Sequence, residues 1–329
     1  MRIDLPPALL LAALLLCVGS AAQAQRHTSE GATAGGAPAQ ILYRNDFEIQ
    51  GQTGFEATGY SAAKFFTGEQ KKIADQAKVE GFTVAWTGRP ETAFGSPGAL
   101  KIAITGSDVK GATAERYFDW PADGTTVAML VYAHGVNTFF VQGWGRKADR
   151  NLHMEFPVAK QDEWQFVKTH ASAFVGWGGG SVSPGETFGN LSITANELDK
   201  SVERPYLLVD NLVLYQNADN VPPSAPQGVQ AAADAKTGGI LLTWKPATDD
   251  VCIAGYEVHR STEVDFRPAL KTRIAAVAAL QYLDRDVQSG QTFHYIILAK
   301  DAGGNKTPAP AVTVVAPKVA GGSAEKPDF

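Results

Sequence analysis

Short runs in which apolar and polar residues alternate recur along most of the chain, with Gly, Pro, Asn or Asp between them. Alternation with period two predicts β-strands rather than helices. Ten such strands are predicted in the first half: Ile41–Glu48, Gly81–Trp86, Ala99–Thr105, Glu115–Trp120, Thr125–Ala133, Thr138–Trp144, Leu152–Phe156, Trp164–His170, Leu191–Thr194 and Tyr206–Tyr215. Only Glu69–Glu80 (EQKKIADQAKVE) has helical spacing. Many short strands with a single short helix imply two packed sheets, a sandwich or jelly roll. The last of these strands, within RPYLLVDNLVLY, is apolar on both faces and interrupted by Asp210-Asn211. Pro222, Pro223 and Pro226 follow it and cannot continue a sheet ladder.

A second series begins there. ILLTW (residues 240–244), GYEVHRS (255–261), YLD (282–284) and TFHYIILA (292–299) alternate in the same way. Their density predicts about seven strands in an immunoglobulin-like sandwich. The chain of 329 residues is long enough for two such cores. The expected organisation is all-β: one sandwich over 41–217, a linker over 218–226 and a second sandwich over 227–317.

The flanks read differently. Arg2, the apolar run Ala8–Val18 and Ala22-Gln23-Ala24 have the form of a cleavable signal peptide over residues 1–24. That run is too short to span a bilayer. A lipid anchor on Cys17 is disfavoured by the bulky Leu16 before it. The expected location is secreted or periplasmic. Residues 25–40 and 318–329 lack the large apolar side chains that offset ordering and are read as a flexible leader and tail. Cleavage would leave Cys252 as the one cysteine, and therefore no internal disulfide.

The formal net charge of −5 argues against nucleic acid or an anionic membrane as partner. No GxSxG elbow, P-loop, EF-hand loop or HExxH pair occurs. The candidate chemistry is aromatic. Sugars present C–H faces on which Trp and Tyr stack, while Gln, Arg and His reach their hydroxyls. Alternation places Tyr132 and His134 on one side of a strand, and Gln142, Trp144 and Arg146 on one side of the next. If these faces coincide in a hairpin, they form a mixed surface suited to a glycan; if not, the aromatics are core. Trp177, in the glycine-rich VGWGGGSVSPG, is either a platform at the rim of a cleft or a plug over one end of the sandwich. Trp86, Trp120 and Trp164 begin or end apolar strands and are read as core or core-edge packing.

Several segments, in order, resemble a known family. NDFE (45–48), GSPGALKIAITG (95–106), TTVAMLVYA (125–133) with VNTFFVQGW, DEWQFVKTHASAF (162–174) and YLLVDNLVLY are similar to the jelly-roll carbohydrate-binding modules that recognise xylans and β-glucans. That resemblance implies a structural Ca²⁺ joining Asp46 and Glu48 to Asp210. The alternative is that Asp210 caps a bulge while Asp46 and Glu48 face water. The later order PPSAP…LTW…TDDVCIAGYEVHRS…YLDRDVQSGQTFHYIILAKDAGGN resembles a bacterial fibronectin type III domain. It departs from that family where Phe293 replaces the corner tyrosine, a loss that Tyr295 could partly compensate. Cys252 is read as packing and Asp249-Asp250 as a turn pair.

The resulting expectation is a secreted, non-catalytic polysaccharide-binding protein whose second domain is a spacer or partner module. One alternative is a cell-surface or matrix adhesion protein that binds another protein. The other is a jelly-roll polysaccharide lyase or hydrolase.

Overall fold

The computed structural model describes residues 37–61, 82–88, 98–106 and 109–318. The signal peptide, most of the leader, the Glu69–Glu80 helix and the end of the tail lie outside the described residues. The chain is an all-β protein of stacked sheets.

Twelve strands form the first sandwich: β1 (Gln40–Asn45), β2 (Glu56–Ser61), β3 (Phe82–Gly88), β4 (Gly98–Ile104), β5 (Val109–Pro121), β6 (Thr125–His134), β7 (Val136–Gly145), β8 (Arg150–Pro157), β9 (Trp164–His170), β10 (Val175–Gly176), β11 (Thr187–Leu198) and β12 (Tyr206–Gln216). The first sheet runs β3-β4-β12-β6-β9, with β1 also paired to β12; the second runs β10-β8-β7-β11-β5-β2. Strands β2 and β10 were not foreseen: EATGYS is mostly small and polar, and β10 has two residues. Between the sheets lie Trp120, Met129, Val131, Phe139, Val141, Phe174, Phe188 and Leu207.

Strands β6 and β7 do not form the expected hairpin. Strand β6 pairs with β12 and β9, whereas β7 pairs with β11 and β8. Gly135 alone connects them and carries the chain from one sheet to the other. Its φ is 64°, and a Cβ there would lie 2.7 Å from Val202, so both backbone and packing require glycine.

The second sandwich has three strands, β13 (Gln227–Asp234), β14 (Gly239–Lys245) and β17 (Gln281–Asp284), facing five. Those five are β15 (Ile253–Ser261), β16 (Arg273–Val277), β18 (Thr292–Asp301), β19 (Lys306–Pro308) and β20 (Val312–Val315). Trp244, Tyr256, Val258, Tyr295 and Ile297 fill its core. The Tyr295 hydroxyl on β18 donates to Asp284 Oδ2 on β17 at 2.7 Å, linking the two sheets.

Glu257 on β15 is buried and accepts from Arg273 at 2.9 Å and from Lys306 Nζ at 2.9 and 3.0 Å. Burial alone would raise its pKa, but Lys306 and Arg273 outweigh it and hold the carboxyl below the usual glutamate range. A depressed folded pKa contributes stability above the unfolded value, near 4.3, that is lost as pH falls through the folded one. The parent is therefore expected to lose more thermal stability than Glu257→Gln between about pH 6 and pH 3. At pH 7 the variant should be the less stable by about 2 kcal/mol. Thermal melts of both proteins across that range check this.

The two sandwiches share an interface. On β6, Val127, Met129 and Val131 face the first core, while Leu130 on the opposite face packs into the second sandwich's apolar cluster with Trp164 and Phe166. Ala128 and Val213 meet Val251, Cys252 and Ala302. Both faces of β6 and β12 are thus covered over most of their length, which is why long stretches of them are apolar on both faces. Arg44 donates to the carbonyls of Asp250 and Val251, and Lys168 Nζ donates to Ala302 O at 2.7 Å. The intervening segment is pinned as well: Ser224 N donates to Thr248 O at 2.9 Å and Gly303 N to Asp219 Oδ2 at 3.0 Å.

Candidate functional site

The outer face of the second sheet carries the site. Since β7 alternates, Phe139 and Val141 point into the core, while Thr138, Phe140, Gln142 and Trp144 point out. Antiparallel register places Asn151, His153 and Glu155 of β8 beside Trp144, Gln142 and Phe140. On the other side lie Ser192 and Thr194 of β11, and beyond them Glu115 and Thr113 of β5.

At one end, the Trp177 indole lies flat on the His153 imidazole, ring centroids 3.9 Å apart at 17°, and meets Phe140 edge-on at 4.9 Å. Gly179 and Gly180 take φ of 91° and 86°, folding the loop into a tight turn with Gly176 N donating to Gly180 O at 2.9 Å. Trp177 is nevertheless 61% exposed. One indole face is braced and the other is open to solvent. Burial lowers the His153 pKa despite the opposing pull of Glu155, so the imidazole under the indole is neutral at neutral pH.

Trp144, 39% exposed, stands toward the other end. Its backbone N–H donates to Asn190 Oδ1, and Asn190 Nδ2 donates to Glu115 Oε1. Ser192 Oγ and the Tyr117 hydroxyl also donate to Glu115, at 3.2 and 2.8 Å. Burial, with Glu115 beside it, raises the Tyr117 pKa well above its usual value. Gln142 Nε2 donates to Thr194 Oγ1 at 3.0 Å, and Arg146 pairs with Asp119 at 2.9 Å. At about 3.3 Å per residue, Phe140 and Trp144 lie roughly 13 Å apart along β7. Trp177 and Trp144 thus bracket a strip of amides, hydroxyls and carboxylates.

Gln142, Trp144, Arg146 and Trp177 are brought to this one sheet. Tyr132 and His134 are not. They lie on the outer face of the first sheet, where Asp162 accepts from the Tyr132 hydroxyl at 3.2 Å and is 2.8 Å from His134 Nδ1. Tyr132 stacks parallel to Tyr206 at 6.1 Å and tilts against Trp164 at 5.7 Å. The single-residue change of sheet at Gly135 separates them from Trp144. Sequence reasoning missed Tyr117, His153 and Asn190. The first two had a signal, since ERYFDW and LHMEF alternate as clearly as β7 does.

Among the described residues, Asp46, Glu48 and Asp210 are not among the carboxylates that meet within metal-ligating distance. Asp46 and Glu48 are exposed, while Asp210 is fully buried opposite Leu130, its Oδ1 accepting from Asn211 N at 2.8 Å. Asn211 takes a φ of 48° and the register with β6 shifts there. At this bulge the edge partner of β12 changes from β4 to β1. The Asp-Asn pair is explained by that bulge. Among the described residues, the three carboxylates that do come together are Asp219, Asp249 and Asp250, with one oxygen of each within 4.8 Å of the others.

A cleft of about 410 Å³ lies between the sandwiches, lined by Trp164, Phe166, Tyr256, Glu257 and Arg273 among others. Its aromatic wall carries the interface between the sandwiches.

No family model matches the chain. Among curated proteins it is 32% identical over 85 residues to an amylopullulanase of Thermoanaerobacter thermohydrosulfuricus, covering 26% of this chain and 6% of that protein. It is 31% identical over 93 residues to exoglucanase A of Cellulomonas fimi, covering 28% of this chain and 10% of that protein. The chain thus spans a tenth or less of the length of these glycoside hydrolases. Among solved structures it is similar to an Fn3-like protein from Clostridium thermocellum, at 26% identity and a TM-score of 0.26. That similarity covers 30% of this chain and 97% of the other.

Proposed function

We propose that this chain is an exported, non-catalytic polysaccharide-binding protein, with the glycan lying across the outer face of the second sheet. The observation that carries this reading is the open indole face of Trp177, held flat by His153 from below. An aromatic ring that is braced yet solvent-exposed loses little entropy on binding and offers an apolar plane to a sugar ring. Trp144 supplies a second plane, and Tyr117, Gln142 and Arg146 supply polar groups within the same face. Stretches similar to parts of glycoside hydrolases support a carbohydrate-related role. In this reading the second sandwich is a rigid spacer.

The alternative of a jelly-roll lyase or hydrolase is less favoured. The Tyr117 hydroxyl is committed to Glu115, and His153 is capped by Trp177. Incubation with insoluble plant and algal polysaccharides tests the proposal: retention without release of unsaturated or reducing-end products supports it. A glycan array on which nothing binds, together with a co-purifying protein, would favour the adhesion alternative.

A further inference from the structure

Where the joining segment meets the second sandwich lie three carboxylates that the glycan-binding reading does not use. Asp219 lies just after β12, and Asp249 and Asp250 lie on the loop between β14 and β15. Asp219 is only 5% exposed, and its Oδ1 is a buried oxygen with no hydrogen-bond partner. Asp249 Oδ1 is in the same state, its Oδ2 being taken by Val251 N at 2.9 Å. Asp301, also buried, is satisfied by the backbone N–H groups of Gly304 and Asn305 and by the Asn305 side chain. None of the ion pairs among the described residues neutralises any of the four.

Two other buried carboxylates are fully met. Glu186, 1% exposed, accepts from three backbone N–H groups. Glu257 has its two cations. An orphaned buried carboxylate oxygen beside two other carboxylates is a costly arrangement unless a cation completes it. The geometry points to a divalent-cation site formed by Asp219, Asp249 and Asp250, which ties the linker to the second sandwich. The donors are hard oxygens, which suit Ca²⁺ rather than a soft transition metal.

The test uses the full chain, stripped with EDTA and dialysed, with melting and calorimetric titration against CaCl₂ and, separately, MgCl₂ at pH 8. Calcium at a hundredfold excess over its Kd is expected to raise the melting temperature by about 5 °C. Asp219→Asn is expected to melt no lower than the metal-free parent, since it removes an unpaired buried charge, and to show no calcium shift. Asp249→Asn, in the more exposed loop, should weaken calcium binding at least tenfold. The proposal is overturned if the parent neither binds calcium nor gains stability. It is equally overturned if the calcium shift survives in both variants, or if it is lost in Asp210→Asn while Asp219→Asn retains it.

Discussion

Trp177→Ala is expected to release the protein from any insoluble polysaccharide that retains the parent, with affinity falling at least tenfold. Truncating an aromatic anchor at a binding surface costs about 2 kcal/mol, and 1.4 kcal/mol is already tenfold. The fold should barely register the change. Trp177 sits on a loop, exposes most of its surface and buries one face on His153. The stacking it forfeits is worth about 1 kcal/mol or less. Trp144→Ala should act in the same direction, since the two rings bracket one strip. Tyr132→Ala should leave retention unchanged, because that ring lies on the other sheet. Depletion isotherms for the three variants, read beside their melting curves, separate lost binding from lost folding. Retention that survives both tryptophan changes would remove the outer face of the second sheet as the binding site.

The second large effect concerns stability. Leu130→Ala is expected to cost about 3 kcal/mol, within the range for emptying a well-packed leucine site. Leu130 is fully buried, and it packs into the second sandwich although its strand belongs to the first. Its loss should weaken the coupling between the sandwiches more than either core. The parent is expected to unfold in one transition and the variant in two, seen by calorimetry. A variant that stays as stable as the parent, or still melts in one step, would mean that Leu130 does not couple the two.

The strands themselves were readable from alternation because one face of each is usually wet. The pairing of strands was not. Alternation says which residues share a face of one strand, and nothing in it says which sheet the next strand joins. Tyr132 and Trp144 are therefore correctly placed on their own strands and wrongly placed together, a consequence of one glycine at position 135. The long apolar runs of β6 and β12 held a clue: a strand apolar on both faces needs two cores. The Asp219–Asp249–Asp250 group was out of reach, because its members come from the linker and a loop about thirty residues later, and only packing of the second sandwich brings them together. Asp210 shows the converse. Its position invited a ligand role by resemblance, and the backbone shows a bulge where β4 gives way to β1.

The covered outer face of the first sheet has one further consequence. With β6 and β12 packed against the second sandwich, and with Arg44 and Lys168 bonded to its backbone, the joining segment is no hinge. A ligand bound on the free face of the second sheet would be held at a fixed bearing to the rest of the chain, by a rigid bracket rather than a tether.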